Sequence, residues 1–317
     1  MSASISLDLD NQWAYMKVHG DEGWDKYPSY FDKFLPHGLK MLKKYNLDTT
    51  FFIVGRDADD EKNKDVLKEI TNHNHEVGNH SYNHEAWFHL YTDEEIYKEL
   101  NDTESAIEKT TGAIPKGFRG PGFSRSKSLF KILKEKEYLY DASSLPTWIG
   151  PLARAYYFRQ SDLTAEERET RKGLFGAFSD GFKRIKPFKW NLDNESELLE
   201  IPVSTIPIVR LPFHFSYLHY LANVNVSLMN AYLQTAITFC KITNTEPSFL
   251  LHPLDLIGGD LIPELKFFPG MELSSSYKTE LFDIVMEKMT GNFNMVNMSD
   301  HAKLITKKGN LPIKTPE

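Results

Sequence analysis

The chain has 317 residues, 26% of them charged, and a formal net charge of −7. This length can bury a large core, and the acidic balance argues against a general nucleic-acid binder. The single cysteine, Cys240, excludes an internal disulfide, and MSASISLDLD lacks the basic region and apolar run of a signal peptide. The most apolar stretch, from Ile201 to Val226, contains prolines and an arginine that do not suit a membrane span. We expect a cytosolic protein, unless it adheres to the inner membrane surface.

Strand-like and helix-like segments alternate along the chain. The predicted strands are ASISLD, TTFFIVG, HEVGN, GFRGPG, YLYDAS, LLEIPVS, PSFLLHP and NFNMVNM. Helical patterns cover residues 29–45, 60–72, 127–136, 227–243 and 275–290, and a capping box at Thr92 begins another helix. This alternation predicts an α/β fold with a mostly parallel sheet. Seven or eight strands over this length favour a (β/α) barrel, formed by residues 1–317 as a single domain.

Residues 146–196 interrupt the alternation with a segment rich in Arg, Lys, Phe and Trp. It is longer than a usual strand-to-helix connection, which predicts an inserted active-site lid or binding loop. Within it, residues 171–189 read as a helix with one apolar face and a basic remainder. The apolar face contains Leu174, Phe175, Phe178, Phe182 and Ile185, and the basic residues are Lys172, Lys183, Arg184 and Lys186. That pattern fits either a helix that covers the protein's own barrel or one that contacts an anionic membrane surface.

Polar residues follow the predicted strands, at the edge where parallel α/β proteins collect their chemistry. They are Asp8, Asp10, His80, His84, Arg119, Asp141 and His252. Asp8 and Asp10 are two apart, so both carboxylates point to the same face of a strand. His80 and His84 have the spacing at which two imidazoles on one helical turn can share a cation. Alone, such a pair is as easily a solvated or packing feature, because a catalytic zinc usually takes three protein ligands.

Together these residues supply a third metal ligand, a second carboxylate, an arginine and a further histidine. A cation polarises an amide carbonyl and lowers the pKa of bound water, and a neighbouring carboxylate can accept the proton of that water. His252 is a natural donor of a proton to the leaving amine. The chain has no G-x-S-x-G motif, Walker loop or dinucleotide fingerprint, so covalent hydrolase and nucleotide chemistry are disfavoured. The pattern therefore favours metal-dependent hydrolysis.

The order D-x-D, HSxxH, RGPG, YDAS and LLH resembles the five motifs of the NodB-type polysaccharide deacetylases, carbohydrate esterase family four. The resemblance covers residues 4–145 and, more loosely, 198–305, and it does not reach the predicted lid. It implies a distorted (β/α) barrel and metal-dependent hydrolysis of an N- or O-acyl group on a sugar. The D-x-D spacing is similar to the subgroup with peptidoglycan-deacetylase-like and lipid-linked-sugar deformylase-like members.

The resemblance also implies a role for each residue of the first three motifs. Asp10, His80 and His84 match the metal ligands, a set that suits zinc, cobalt or nickel. Asp8 matches the catalytic base and Arg119 the arginine that pairs with it. In the common family form the two aspartates are adjacent, whereas Leu9 separates them here. The base and ligand roles of the two aspartates are therefore open to exchange.

In the remaining motifs, His252 matches the catalytic acid and Asp141 the carboxylate that orients it. The backbone N–H of Gly122 matches the donor to the oxyanion. The fourth motif lacks the family's aromatic residue, which puts the expected sugar contacts in doubt.

Three hypotheses follow for the function. The first is a deacetylase that acts on an acylated sugar, free, nucleotide-linked or lipid-linked, in surface glycan biosynthesis. The second keeps the site but changes the substrate to that of a deformylase or a cyclic amidohydrolase. The third is a barrel that binds a glycan or a metal without turnover.

Overall fold

Parallel strands joined by helices form one continuous sheet in the computed structural model, which describes residues 1–160, 168–169, 176–192 and 196–316. Within these residues the strands are β1 Ser2–Leu9, β2 Thr50–Ile53, β3 Glu76–Asn79, β4 Gly117–Phe118, β5 Tyr140–Asp141, β6 Phe188–Leu192, β7 Ser196–Glu200, β8 Ser248–Leu251, β9 Asn294–Val296 and β10 Ile313–Lys314. The helices are α1 Gln12–His19, α2 Phe31–Lys44, α3 Gly55–Asp59, α4 Lys64–Asn72, α5 Asp93–Thr111, α6 Lys127–Glu135, α7 Gly150–Gln160, α8 Phe215–Val224, α9 Val226–Thr243, α10 Ser275–Asn292 and α11 Met298–Lys308.

The strand order is β10-β6-β7-β5-β4-β3-β2-β1-β8, with β9 also paired to β1. Eight strands, β1 to β5 and β7 to β9, are mutually parallel, whereas β6 is antiparallel to β7. The predicted α/β fold with a mostly parallel sheet is confirmed. Among the described residues β8 and β10 do not pair with each other, so the distorted barrel stays open.

Both faces of β1 are buried, although apolar and polar residues alternate along the strand. Strands of a parallel sheet are covered by helices on both faces, and from Ala3 to Leu9 every residue of β1 is buried. The largest apolar cluster joins β1, β2 and β8 to side chains of α2, α9 and α10. Cys240 lies in this cluster and burial raises the pKa of its thiol to about 12, as expected of a small core residue. None of the described helices is both long and apolar enough to cross a membrane.

The prediction of a single helix over residues 171–189 is wrong for the part that the structure describes. Residues Phe178–Phe182 form a short 3-10 turn, and β6 begins at Phe188. Gly176 adopts a left-handed conformation with φ of 77°, and Pro187 cannot donate a helical hydrogen bond, so both interrupt a helix. Lys172, Leu174 and Phe175 lie outside the described residues.

Close packing of β2 and β3 offers a test of how the sheet supports the residues that follow it. A Cβ atom added at Gly78 would lie 2.5 Å from the buried ring of Phe52. Gly78→Ala should lower the free energy of unfolding by about 1–3 kcal/mol, measured by urea denaturation, because an overpacked core must shift. Gly291→Ala is the control, since nothing lies within 4 Å of a Cβ there and alanine favours the helix. Equal stability of both variants would contradict this packing.

Candidate active site

Asp10, His80 and His84 meet at the carboxyl ends of β1 and β3, the two neighbours of β2. Oδ1 of Asp10 lies 3.0 Å from Nε2 of His84 and 3.5 Å from Nε2 of His80. Ligands of a tetrahedral zinc ion with bonds of about 2.0–2.1 Å are separated by about 3.4 Å, so these spacings suit one ion. Oδ1 of Asp10 is buried and no hydrogen bond of acceptable geometry satisfies it. The three residues therefore fit a divalent metal.

The two histidines converge on a loop, so the helical-turn geometry expected from their spacing is wrong. His80 directly follows β3, and both Ser81 and His84 have left-handed backbone conformations, with φ of 60° and 53°. The carboxylate of Glu99 on α5 accepts hydrogen bonds from the backbone N–H groups of residues 82 and 83, at 2.7 and 3.0 Å. This anchor folds the loop back, so both imidazoles face Asp10.

A second contact fixes the ring of His80. Its Nδ1 lies 2.6 Å from the carbonyl oxygen of Arg119, and only a protonated Nδ1 can donate there. Nε2 is then the ring atom that faces Asp10. Outer hydrogen bonds of this kind fix the tautomer and orientation of histidines that bind metals.

The charges of this cluster stabilise one another. Burial alone would raise the pKa of Asp10, but the two adjacent imidazoles, His84 first, hold that pKa well below its usual range. Burial would lower the pKa of His80, but the adjacent carboxylate of Asp10 and the charge of Asp8 raise it. Protons on the imidazoles and a bound cation compete for the same atoms, so we expect metal binding to release protons.

Asp8 has a different partner from Asp10. Nη1 of the fully buried Arg119 donates to Oδ1 of Asp8 at 2.7 Å and to Ser6 Oγ at 3.0 Å. Nε of the same arginine donates to the carbonyl of Ala142 at 3.0 Å. The structure thus places Asp10 against the imidazoles and Asp8 against the arginine, the arrangement that the family resemblance implies. The catalytic roles of both aspartates remain predictions.

His252 follows β8 and contacts a carboxylate three residues later. Its Nδ1 lies 3.5 Å from Oδ2 of Asp255 and 3.3 Å from Ser216 Oγ, while its backbone N–H donates to Asp255 at 2.8 Å. Burial would lower the pKa of His252, but Asp255 and the more distant charges of Asp8 and Asp10 raise it to about 9. The imidazole is therefore protonated at neutral pH, as an acid should be.

Asp141 does not orient His252, so that predicted role is wrong. Its carboxylate accepts hydrogen bonds from Oγ and the backbone N–H of Ser143, at 2.6 and 3.1 Å. Ser143 Oγ in turn accepts the N–H of Gly120 at 2.8 Å. Asp141 thereby braces the turn that carries the RGPG motif, and burial raises its pKa. The carboxylate beside His252 is Asp255, which the spacing HPLD could have indicated.

Comparisons with known proteins show a similarity over part of the chain. Residues 21–140 match the model of the polysaccharide deacetylase family. The expected resemblance to that family is confirmed over this part of the chain. The peptidoglycan-N-acetylglucosamine deacetylase of Bacillus cereus is 30% identical over 120 residues, which are 37% of this chain and 42% of that protein. The peptidoglycan deacetylase of Helicobacter pylori is 28% identical over 176 residues, 54% of this chain and 57% of that protein.

The chain spans only about half the length of these two curated relatives. A solved structure from Mycobacterium smegmatis, assigned to the polysaccharide deacetylases, shares the fold with a TM-score of 0.60 at 16% identity. That similarity extends over 98% of this chain and 92% of the other.

Gly122 lies in the short turn Pro121–Phe123, with φ of 58°. The turn is tight, since a Cβ at Gly120 would lie 2.0 Å from the carbonyl oxygen of Ser124. Gly122 lines a cavity of about 570 Å³ that also borders the segment 176–190. Its role as an oxyanion donor remains a prediction.

Asp57 is a buried carboxylate near the metal cluster that the sequence analysis missed. It lies within α3 and accepts hydrogen bonds from Asn11 Nδ2 at 2.7 Å and Trp13 Nε1 at 2.8 Å. Trp13 packs edge-on against His84, with ring centroids 6.4 Å apart. Burial raises the pKa of Asp57 to about 7 despite these donors. No strand end marks Asp57 in the sequence, and only the fold brings it near His84.

The metal cluster predicts the effect of removing each ligand. Asp10→Ala, His80→Ala and His84→Ala should each reduce metal affinity, measured by elemental analysis after dialysis against a weak chelator. Loss of an outer partner of a ligand costs about 10- to 100-fold in affinity, and loss of a ligand should cost at least as much. His73→Ala is the matched control, because that exposed imidazole contacts Glu69 instead. A variant that retains the full metal content would remove its residue from the site.

The contact between Asp255 and His252 predicts a pH dependence. An acid must be protonated to act, so activity falls as pH rises through the pKa of His252, about 9. Asp255→Asn removes the main group that raises this pKa, so the falling limb should move to lower pH by about 1–3 units. Asp141→Asn should leave the position of that limb unchanged, whatever its effect on folding. The opposite pattern would restore Asp141 as the orienting carboxylate.

Proposed function

We propose that this protein is a metal-dependent hydrolase that removes an N-acetyl or other N-acyl group from a sugar in surface glycan biosynthesis. The observation that supports it most is the triad Asp10–His80–His84 with two differently partnered groups around it, a carboxylate beside an arginine and a histidine beside a carboxylate. The printed names of the Bacillus cereus and Helicobacter pylori relatives, both peptidoglycan deacetylases, favour the same chemistry.

Each group has a distinct task in such a reaction. A divalent ion held by the triad, which for two imidazoles and one carboxylate favours zinc, cobalt or nickel, would polarise the amide carbonyl and lower the pKa of water. Asp8 accepts a proton from that water, and its hydrogen bond to Arg119 fixes the accepting carboxylate. The N–H of Gly122 donates to the oxyanion, and His252 gives its proton to the leaving amine.

Acyl release from a panel of sugars tests this proposal. The metal-loaded protein should release acetate from N-acetylated amino sugars, offered free, nucleotide-linked and lipid-linked. Asp8→Asn should keep the metal and lose about 100- to 10,000-fold in turnover, because it removes the general base. If Asp8→Asn instead loses the metal, the roles of Asp8 and Asp10 are exchanged.

The same panel separates the alternatives. Release of formate in place of acetate would favour a deformylase, and release of acid from a cyclic amide would favour an amidohydrolase. Sugar binding with no acyl release, by protein that holds its full complement of metal, would contradict the proposal and favour a binding barrel.

We also propose that the segment 176–190 contacts an anionic membrane surface, although not as one long helix. Phe178 and Phe182 are 58% and 77% exposed and contact each other edge-to-face at 5.9 Å. Ile208, 73% exposed, lies in a neighbouring loop that is tied to the segment by a hydrogen bond from Arg210 Nη1 to the carbonyl of Lys183. Exposed apolar groups beside basic side chains suit an anionic lipid surface.

Liposome co-sedimentation tests this contact. Wild-type protein should bind anionic vesicles, less strongly as salt rises, and Phe178→Ser/Phe182→Ser should abolish binding. Ile114→Ser/Leu139→Ser is a matched control. Both side chains are exposed, and they precede β4 and β5 at the amino-terminal ends of these strands. Wild-type protein that ignores anionic vesicles would overturn the proposal.

A further inference from the structure

The cavity beside Gly122 is a separate feature from the metal cluster. It has a volume of about 570 Å³ and lies between residues 122–126 on one side and residues 176–190 and 314–316 on the other. Asp10, His80 and His84 are not among its described lining residues, whereas Gly122, the candidate oxyanion donor, is. In the proposed reaction the acyl group lies next to Gly122, so a group bound in the cavity would be its neighbour.

The lining of this cavity is strongly basic. Four cationic side chains face it, from Arg125, Lys183, Arg184 and Lys314, and the only carboxylate among its described lining residues is that of Asp180. The formal excess is three positive charges, in a chain whose net charge is −7. Such a local reversal of sign attracts anions.

The carboxylate of Asp180 already has three partners within the protein. Its carboxylate accepts from Nη2 of Arg125 at 3.0 Å, from Nζ of Lys183 at 2.8 Å and from the N–H of Ala177 at 2.7 Å. Burial would raise the pKa of Asp180, but these partners, Lys183 first, lower it. The carboxylate therefore holds two of the cations in place and is not available to a third.

Arg184 is that third cation. Its Nε is buried and has no hydrogen-bond partner, and no carboxylate of the described residues lies within ion-pair distance of its guanidinium. A buried donor without a partner costs free energy, and a guanidinium matches the paired oxygens of a carboxylate or a phosphate. The arginine is therefore placed for a ligand that the protein itself does not supply.

The remaining lining suits a sugar that carries the anion. Phe182, 77% exposed, places an aromatic ring at the rim, whereas the rings of Trp190 and Phe130 are buried and stack on each other with centroids 4.9 Å apart. Ser124 and Ser144 also line the cavity. The ring of Phe182, the serine side chains and a guanidinium together can bind a sugar ring and its charged substituent.

We propose that this cavity binds an oxyanion, a phosphate or a carboxylate, carried by the sugar whose acyl group reaches Gly122, and that Arg184 is its principal partner. The inference rests on the proposed function for the identity of the sugar. The shared chemistry is a pair of anionic oxygens that can accept two hydrogen bonds from one guanidinium, and the two sources differ in charge and geometry. The substrate would then be an acidic amino sugar.

Calorimetric binding to the metal-loaded protein tests the inference with three probes. N-acetylglucosamine is neutral, N-acetylglucosamine 1-phosphate carries a phosphate, and N-acetylmuramic acid carries a carboxylate. At least one anionic probe should bind about tenfold or more tightly than the neutral one, since hydrogen bonds between charged groups have that strength. The tighter of the two anionic probes identifies the source of the oxyanion.

Variants of neighbouring cations locate the anion. Arg184→Gln should lose the preference for the anionic probe. Arg184→Lys keeps the positive charge but lacks the planar guanidinium, so it should retain part of that preference. Lys186→Gln is the matched control, because Lys186 donates to the carbonyl of Thr243 and does not line the cavity. Should Arg184→Gln fail to fold, Lys314→Gln, which changes another cation of the lining, should weaken the same preference.

The outcomes distinguish this inference from the proposed function. A preference that persists in the Arg184 and Lys314 variants would place the anion on the metal and overturn the inference, as would equal binding of all three probes. A preference that depends on Arg184, in a protein that releases no acyl group, would support the cavity and contradict the proposed function. Acetate release with equal binding of neutral and anionic probes would support the proposed function and contradict the inference about the cavity.

Discussion

The contact between one buried carboxylate and two imidazoles is the interaction on which the candidate site depends. Asp10 and His80 come from strands that are two places apart in the sheet, so the contact requires β1, β2 and β3 to be in register. The loop that returns His84 to the same place requires the anchor at Glu99. Without a cation or protons on the imidazoles, the isolated carboxylate would lose solvation with no compensation, which is costly in a buried site.

Arg119 couples this contact to the rest of the site. Its carbonyl accepts from His80, and its guanidinium donates to Asp8 and to the carbonyl of Ala142 beyond β5. A fully buried guanidinium is tolerated only with such partners, and removing one partner of a buried ion pair costs about 3–5 kcal/mol. One residue therefore orients a metal ligand through its backbone and a base through its side chain.

The sequence was informative where chemistry follows directly from a strand. The short runs of alternating or apolar residues predicted β1, β2 and β8, and the polar residues at the ends of β1 and β8 could be predicted with them. It was less informative where a contact depends on tertiary structure. The convergence of His80 and His84 arises from a loop held by Glu99, and Asp57 approaches the site only because α3 packs there.

Local sequence patterns also gave two wrong predictions, a helix over residues 171–189 and the role of Asp141. The basic and aromatic segment after residue 170 has a helical pattern, but Gly176 and Pro187 interrupt it and the edge of β7 recruits residues 188–192 as a strand. Asp141 ends β5, much as the other site residues end or follow their strands, yet its buried carboxylate accepts hydrogen bonds from Ser143. Asp255, in a turn after β8, takes the place beside His252.

Anomalous diffraction from crystals grown with zinc or cobalt would show which residues hold the metal. One strong peak should lie about 2.0–2.2 Å from a carboxylate oxygen of Asp10 and from Nε2 of both His80 and His84. Asp8 should remain paired with Arg119 and outside the coordination sphere. A peak coordinated by Asp8 in place of Asp10, or no peak at this cluster under saturating metal, would contradict the assignment of the three ligands.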